Sequence, residues 1–491
     1  MTLPAQPAST PLLDALRHLQ NRVDAPFYVP GHKRGQGAYP ALVDLLGDRP
    51  FQADLPELPE LDNLFAPTGV IREAQELAAQ TFGADQTWFL ANGSTSGIEA
   101  MVLATCQPGD TLILPRNCHQ SAIAALILAG VNPVFVTPDL DPRWGIAHGV
   151  APAKIAAALQ AHPEAAAVLL VSPTYYGVCS DVGAIAHLTH QQGIPLLVDE
   201  AHGAHFAFHP DLPPSALSQG ADAVVQSTHK VLGALTQAAM LHLQGDRISP
   251  GRIQKALALV QSTSPSYLLL ASLDAARQQM AEAGFTLMTQ TLEIVAEVRD
   301  RLQSIPQISL LAPSPPFPFC SANGSPLLDP TRLTLDVQSL GFSGFDADEI
   351  LHKHYQVTCE LPGLHSLTFV VTLGNTSAHG HQLVNALAAL AQHPKPPSVP
   401  AITISHPPEA AIALSPRTAF FAAQESVPIT AAMGRIAAEL ICPYPPGIPV
   451  LLPGERISAE AIAYLQQIHT AGGILSGCND PDLTHLQVLV E

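Results

Sequence analysis

Between residues 68 and 245 the chain alternates short apolar runs with alanine-rich stretches, a pattern that few folds accept. The runs are TWFLA (87–91), TLILP (111–115), NPVFVTP (132–138), AAVLLVSP (166–173), IPLLVDE (194–200) and ADAVVQS (221–227). GIEAMVLATC, SAIAALILAG, PAKIAAALQAH and DVGAIAHLTHQQG lie between them. A strand that is apolar along its length must be covered on both faces, and helices in the intervening stretches supply the cover. The pattern therefore predicts an α/β fold with a mostly parallel sheet. Ligands of such sheets sit at the carboxyl ends of the strands. Polar residues cluster there in this chain, directly after the apolar runs.

The rest of the chain divides around that region. Residues 1–60 are rich in proline, glycine and polar residues around one helical pattern, Leu12 to Leu19, and read as an arm. Long helical patterns follow over 251–305, and then LLAPSPPFPFC (310–320) interrupts them. TRLTLDV and LTFVVTLG read as strands flanking the helical FDADEILHKHY, and HPKPPSVP (393–400) links to a last segment. The expected division is an arm (1–60), a large domain (61–310), a small α+β domain (311–395) and a C-terminal subdomain (396–491). Hydrophobic residues make up 47% and charged residues 13%, a balance that suits large buried surfaces and a subunit interface. A net charge of −19 argues against nucleic acid and suits a cationic ligand. The start lacks a secretory pattern, and no apolar run is long enough to span a bilayer. Seven cysteines without a CxxC pair, and 21 histidines without metal-ligand spacing, predict a reduced, cytoplasmic protein with no metal site.

The segment VVQSTHKVLGALTQAA (224–239) puts Lys230 after an apolar run, with Ser-Thr-His before it and small residues behind it. A lysine in so uncharged a loop can snorkel to solvent. It can also be a desolvated amine that forms an imine with an aldehyde cofactor such as pyridoxal 5'-phosphate, PLP. Asp199, at the end of IPLLVDE, favours the second reading. A carboxylate at the pyridine nitrogen keeps that ring protonated and able to accept electrons, whereas a lone strand-end Asp is otherwise a helix N-cap. LANGSTSGIEAM (90–101) opens a helix after a strand, and Ser94, Thr95 and Ser96 there form a phosphate cradle or ordinary caps. Ser227 offers a further hydroxyl. His119, after the next apolar run, can stack on one pyridine face, with Ala201 on the other; the alternative is a cap or core histidine.

These segments resemble the fold-type I Orn/Lys/Arg decarboxylase family, in its shorter form without an N-terminal receiver-like domain. Residues 225–239 match the family's lysine signature at every constrained position, and FYVPGHKRG (27–35), residues 61–85, SPTYYGV (172–178), DEAHGAH (199–205) and residues 434–455 extend the likeness. The resemblance implies an aspartate-aminotransferase-like large domain with small α+β C-terminal domains, and decarboxylation of a basic L-amino acid. It makes Lys230 the lysine that carries PLP and pairs Asp199 with the pyridine nitrogen. His119 then stacks opposite Ala201, with Ser94, Thr95, Ser96 and Ser227 near the phosphate. His202 is counted with the cofactor residues, and His229 lies beside the reacting end; Lys230, His229 and His119 are the expected catalytic set. The resemblance also implies a homodimer or larger assembly with shared active sites. Two departures bear on the substrate: Pro56 replaces part of a Thr-Glu pair, and the late-chain substrate region is trimmed.

A cationic substrate tail needs an anion at its far end, and Glu360 in VTCELPG is the expected reader, the alternative being a plain surface glutamate. His32 and Lys33 are expected near a neighbouring subunit's site. The short form includes biosynthetic arginine decarboxylases, so arginine leads over lysine and ornithine, with an amine product for polyamine metabolism. A decarboxylase of a larger guanidino substrate, an aminotransferase and a non-catalytic PLP-binding protein are the competing readings. The aminotransferase would need a small-domain arginine, and Arg332 is the only one nearby.

Overall fold

The computed structural model describes residues 9–141, 143–312, 327–394, 411–444 and 448–490. The proline-rich runs at 310–320 and 393–400 fall mostly outside them. Two compact units interleave along the chain. One comprises Met1–Thr105, Leu197–Pro210 and Pro214–Met288; the other comprises Cys106–Leu196, Asp211–Pro213 and Thr289–Glu491.

All six apolar runs fold as strands: Gln86–Leu90, Thr111–Pro115, Asn132–Val136, Ala167–Val171, Leu196–Asp199 and Ala223–Gln226. The alanine-rich stretches fold as the helices Gly93–Thr105, Gln120–Ala129, Pro152–Ala161 and Val182–Gln191. Their ends obey local rules. Pro152 occupies the first turn of its helix, Gly130 closes another in the left-handed conformation, and the Asp181 side chain accepts the Ala184 N–H at 3.1 Å.

In the first unit the strand order is Gln86–Leu90, Ala239–Leu243, Ala223–Gln226 and then Leu196–Asp199, of which the last three residues belong to this unit. Ala223–Gln226 runs parallel to Leu196–Asp199. Ala239–Leu243, which the apolar-run pattern did not single out, is antiparallel to both of its neighbours. The Gly93–Thr105 helix packs closely on these strands because residue 97 has no side chain. A Cβ there would stand 2.7 Å from Leu90 Cδ1 and 2.9 Å from Val225 Cγ1, an overlap that costs about 1–3 kcal/mol to relieve. The arm begins with the helix Pro11–Gln20, which buries Leu12, Leu16 and Leu19. Its first N–H groups lack partners in their own helix, and Asp274 Oδ2 accepts those of Leu12 and Leu13 at 3.0 and 3.3 Å. Asp274 in turn pairs with Arg277 at 2.5 Å, both fully buried.

In the second unit Ala167–Val171, Thr111–Pro115 and Asn132–Val136 lie in that order, all parallel. The expected small α+β region is a four-stranded antiparallel sheet, Ser309–Leu310, Arg332–Asp336, Ser366–Val370 and Leu361–Pro362 in spatial order, with helices Gly344–Tyr355 and Ser377–Leu390. A capping box of Ser343 and Asp346 starts the first of these helices. Nearer the C-terminus Gln424–Pro428 pairs with His485–Leu489, and Cys442–Tyr444 with Ile474–Ser476. The helical patterns after residue 265 join into one 36-residue helix, Tyr267–Leu302. Among the described residues no helix is long and apolar enough to cross a membrane, and no His/Cys/Asp/Glu group suits a metal ion.

Candidate active site

Two parallel strand ends create the site. Asp199 ends one strand, in register with Val225 of the next, and is 6% exposed. Its Oδ1 accepts the Ala201 N–H at 3.1 Å. Burial pushes the Asp199 carboxyl above the ordinary carboxylate range, and the charge of Lys230 opposes that rise. Lys230 lies in the short helix Thr228–Val231, and its Nζ donates to His202 Nε2 at 3.1 Å. Ser227, fully buried at the end of the same strand, donates through Oγ to Ser94 Oγ at 2.9 Å. Ser94 sits in the first turn of Gly93–Thr105, where backbone N–H groups have no helical acceptor. Gly93 opens that helix at φ +74, a left-handed conformation that other residues rarely adopt.

The remaining expected residues are placed as follows. Thr95 is exposed, and Ser96 Oγ donates to its own turn, to the Gly93 carbonyl at 2.9 Å. Ala201 is buried beside Asp199. His229 Nδ1 lies 2.9 Å from the Ala238 carbonyl, to which it donates. Burial lowers the His229 pKa, the Ala238 bond opposes the shift, and the charge of Lys230 adds to it. His119, in the second unit, is the N-cap of Gln120–Ala129, with Nδ1 accepting the Ser121 N–H at 3.2 Å. Its neutral ring therefore carries the proton on Nε2. Glu360, in the same unit, is exposed. Its backbone N–H donates to the Thr368 carbonyl at 3.0 Å, and it lines a cavity of about 460 Å³ with Thr358, Asn375 and His379. His32 Nε2 stands 3.1 Å from Asp54 Oδ2, and Lys33 donates to the Tyr28 carbonyl, so both are held within the arm.

The donor set fits PLP. A buried carboxylate needs a compensating cation, and Asp199 has the charge of Lys230 for that purpose. A protonated pyridine nitrogen would give the carboxylate a partner charge of its own. The Ser94–Ser227 pair at a helix N-terminus supplies hydroxyl and backbone donors for a phosphate. Thr228 Oγ1 adds a buried hydroxyl without a hydrogen-bond partner in the protein.

Sequence reading missed two groups. Glu200 and Gln226 form a buried bond behind the strand ends, with Gln226 Nε2 donating to Glu200 Oε2 at 2.7 Å. Glu200 lies inside DEAHGAH, and its placement after a buried strand end was the available signal. In the second unit Arg116 donates to the Pro449 and Val450 carbonyls at 2.8 and 3.1 Å and to Glu455 Oε2 at 3.2 Å. No local sequence signal joins residues so far apart.

Known proteins resemble this chain in sequence and in fold. Residues 10–379 match the family model described as Orn/Lys/Arg decarboxylase, major domain, and residues 401–479 match Orn/Lys/Arg decarboxylase, C-terminal domain. The arginine decarboxylase of Bacillus subtilis (strain 168) is 38% identical over 484 residues, 98% of each chain. The lysine decarboxylase LdcA of Pseudomonas aeruginosa is 27% identical, covering 91% of this chain and 73% of that protein. In fold, the lysine decarboxylase LdcF of Francisella novicida superimposes with a TM-score of 0.84 at 22% identity, over 99% of this chain and 82% of the other. With its buried strand-end aspartate, its lysine and both parts of the family pattern in place, the chain belongs to the Orn/Lys/Arg decarboxylase family.

Proposed function

We propose that the protein uses PLP to decarboxylate a basic L-amino acid, arginine before lysine or ornithine. The observation that carries the reading is the cluster of buried Asp199 and His202 with half-buried Lys230 beside the Ser227–Ser94 pair. The 38% identity to an arginine decarboxylase, against 27% to a lysine decarboxylase, supports the order of substrates.

PLP, when bound, supplies an electron sink for the pair released as CO2 departs. Lys230 would hold the aldehyde carbon, and Asp199 would hold a proton on the pyridine nitrogen. Ser94, Ser227 and the first N–H groups of Gly93–Thr105 hold the phosphate. Thr95 and Ser96 stay near it as proposed contacts, and His119 and Ala201 keep the stacking roles that the resemblance gives them. A neutral His229 that donates from Nδ1 to Ala238 has a lone pair, not a proton, at Nε2. Of the two candidates, Lys230 is then the better placed to return a proton to Cα. Glu360 reads the cationic tail. His32 and Lys33 act from the arm on a neighbouring subunit's site.

Assembly as a homodimer or larger is supported by the exposed apolar side chains of the arm, including Val23, Phe27, Tyr39 and Leu45, each more than three-quarters exposed. The product is the corresponding amine, a polyamine precursor, made in the cytoplasm. The absence of a disulfide among the described cysteines supports that compartment. The division into arm, large domain, small domain and C-terminal subdomain at residues 60, 310 and 395 completes the proposal.

The decisive experiment supplies PLP and measures amine formation from arginine, lysine and ornithine, with Lys230→Ala alongside. Agmatine as the main product, and loss of both turnover and lysine-bound cofactor absorbance in the variant, are the expected results. An unchanged spectrum in Lys230→Ala rejects the assignment of the lysine, and keto-acid in place of CO2 indicates an aminotransferase. Against the latter stands Arg332, which is 1% exposed, lies 3.6 Å from Asp329 and donates to Thr331 Oγ1 at 3.1 Å.

A further inference from the structure

Behind the Asp199 cluster runs a chain of buried side chains to which decarboxylation assigns no task. Glu200 accepts the Ala216 N–H at Oε1 and the Gln226 amide at Oε2, each at 2.7 Å. Gln226 Oε1 is 3.1 Å from His242 Nε2, and His242 Nδ1 is 2.8 Å from Thr87 Oγ1. Glu200, Gln226, His242 and Thr87 are each no more than 2% exposed. Residues 242 and 87 are direct cross-strand partners, whereas Asp199 is in register with Val225. Successive side chains of a strand point to opposite faces, so Glu200, Gln226 and His242 share the face turned away from Asp199.

The chain has a direction. Gln226 gives its N–H to Glu200, so its carbonyl must accept from His242 Nε2. Burial pushes the His242 pKa down to about 3. The ring is therefore neutral, and its Nδ1 accepts the Thr87 hydroxyl. The chain also joins the two parts of the cofactor site. Glu200 directly follows Asp199, and Gln226 directly precedes Ser227, which bonds to Ser94. One hydrogen bond behind the sheet thus spans the residues that hold the ring end and the phosphate end.

We propose that Glu200 is a positioning residue: its bond to Gln226, backed by His242 and Thr87, fixes the spacing between Asp199 and Ser227 and with it the seat of PLP. The proposal rests on the PLP reading above. Side chains that merely fill space could be apolar at little loss, because replacing both partners of a buried hydrogen bond by similar apolar groups is nearly neutral in stability.

Two variants test it. Glu200→Gln keeps the shape but faces Gln226 with an N–H, so the Gln226 amide turns over and donates to His242. The His242 proton then moves to Nδ1. Nitrogen-15 NMR of histidine-labelled protein, recorded above the value of about 8 to which burial raises Glu200, reads this directly. The expected result is Nε2–H in the parent and Nδ1–H in Glu200→Gln, with the PLP dissociation constant within about threefold because the spacing survives. Glu200→Ala removes the link and should weaken PLP binding about tenfold, the scale of one lost hydrogen bond to a charged group. An unshifted His242 proton in Glu200→Gln, or parental PLP affinity in a folded Glu200→Ala, overturns the proposal. If Glu200→Ala does not fold, the Glu200→Gln arm still decides. If the parent binds no PLP, the cofactor reading fails instead, and the NMR arm still reports whether the chain exists.

Discussion

At Asp199 the carboxylate is buried and held by its neighbours; at Glu360 the carboxylate stands exposed, just before the short edge strand Leu361–Pro362 of the small sheet. The contrast follows from solvation. A buried carboxylate without partners costs several kcal/mol, so the chain supplies Ala201, Lys230 and a strand end that admits few alternatives. An exposed carboxylate loses little hydration and can wait for a ligand to partner it. On the proposed reading, the buried region is where catalysis is fixed, and the exposed region is where substrate choice varies.

The largest expected effect breaks the comparison at its buried end. Asp199→Asn keeps the shape and the Ala201 contact but removes the charge that holds a proton on the pyridine nitrogen. We expect kcat to fall by about 100- to 1000-fold, the scale of losing one electrostatic contact to a developing charge, with KM little changed. Steady-state kinetics at saturating PLP check this. A near-parental kcat would mean that the buried carboxylate is only structural.

The next effect sharpens the buried end. Burial raises Glu200 to about 8 from 4.5, so the folded protein favours its neutral form. That contribution is complete below the unfolded value of 4.5 and is lost as pH rises toward 8. His242 acts oppositely: its value is depressed from 6.5 to about 3, so its contribution is present above 6.5 and is lost as pH falls toward 3. Thermal melts between pH 5 and 9 should show this contribution of the parent falling between about pH 5 and 8, on the order of 4 kcal/mol, and Glu200→Gln should lack that fall. An identical slope over about pH 6.5–8 in the variant refutes the assignment to Glu200.

How much of this was legible follows the same contrast. The six strands and the order of Ser94, His119, Asp199 and Lys230 could be read because burial on both faces and strand-end chemistry leave local marks. Ala239–Leu243 leaves no separate mark because its apolar run is continuous with the signature behind the lysine. The Glu200–Gln226–His242–Thr87 chain and the Arg116–Glu455 pair left no mark, because each depends on strands or segments that meet only after folding. His119 is the instructive intermediate. Its N-cap geometry satisfies the ordinary alternative, and the same bond fixes the Nε2–H tautomer that a stacking role would use.

Moving to the exposed end, Glu360→Gln should raise KM for the basic substrate by about tenfold while leaving PLP affinity unchanged, as expected for one hydrogen bond to a charged group. Titration of PLP into the variant alongside kinetics separates the two. A parental KM removes Glu360 from the substrate site and makes it an ordinary surface carboxylate.

The smallest effect distinguishes residues of a single motif. Thr95 is exposed, whereas Ser227 is fully buried and bonded to Ser94 at 2.9 Å. If burial governs which hydroxyls hold the phosphate, Ser227→Ala should weaken PLP binding about tenfold, because a buried charged acceptor loses a donor that water cannot easily replace. Thr95→Ala should change it less than about twofold, because water can supply the missing donor at an exposed position. Fluorescence titration of PLP into both variants resolves the difference. Equal losses would show that the exposed hydroxyl holds the cofactor as firmly as the buried one, and the division between a fixed interior and an adaptable surface would not extend to the phosphate end of the site.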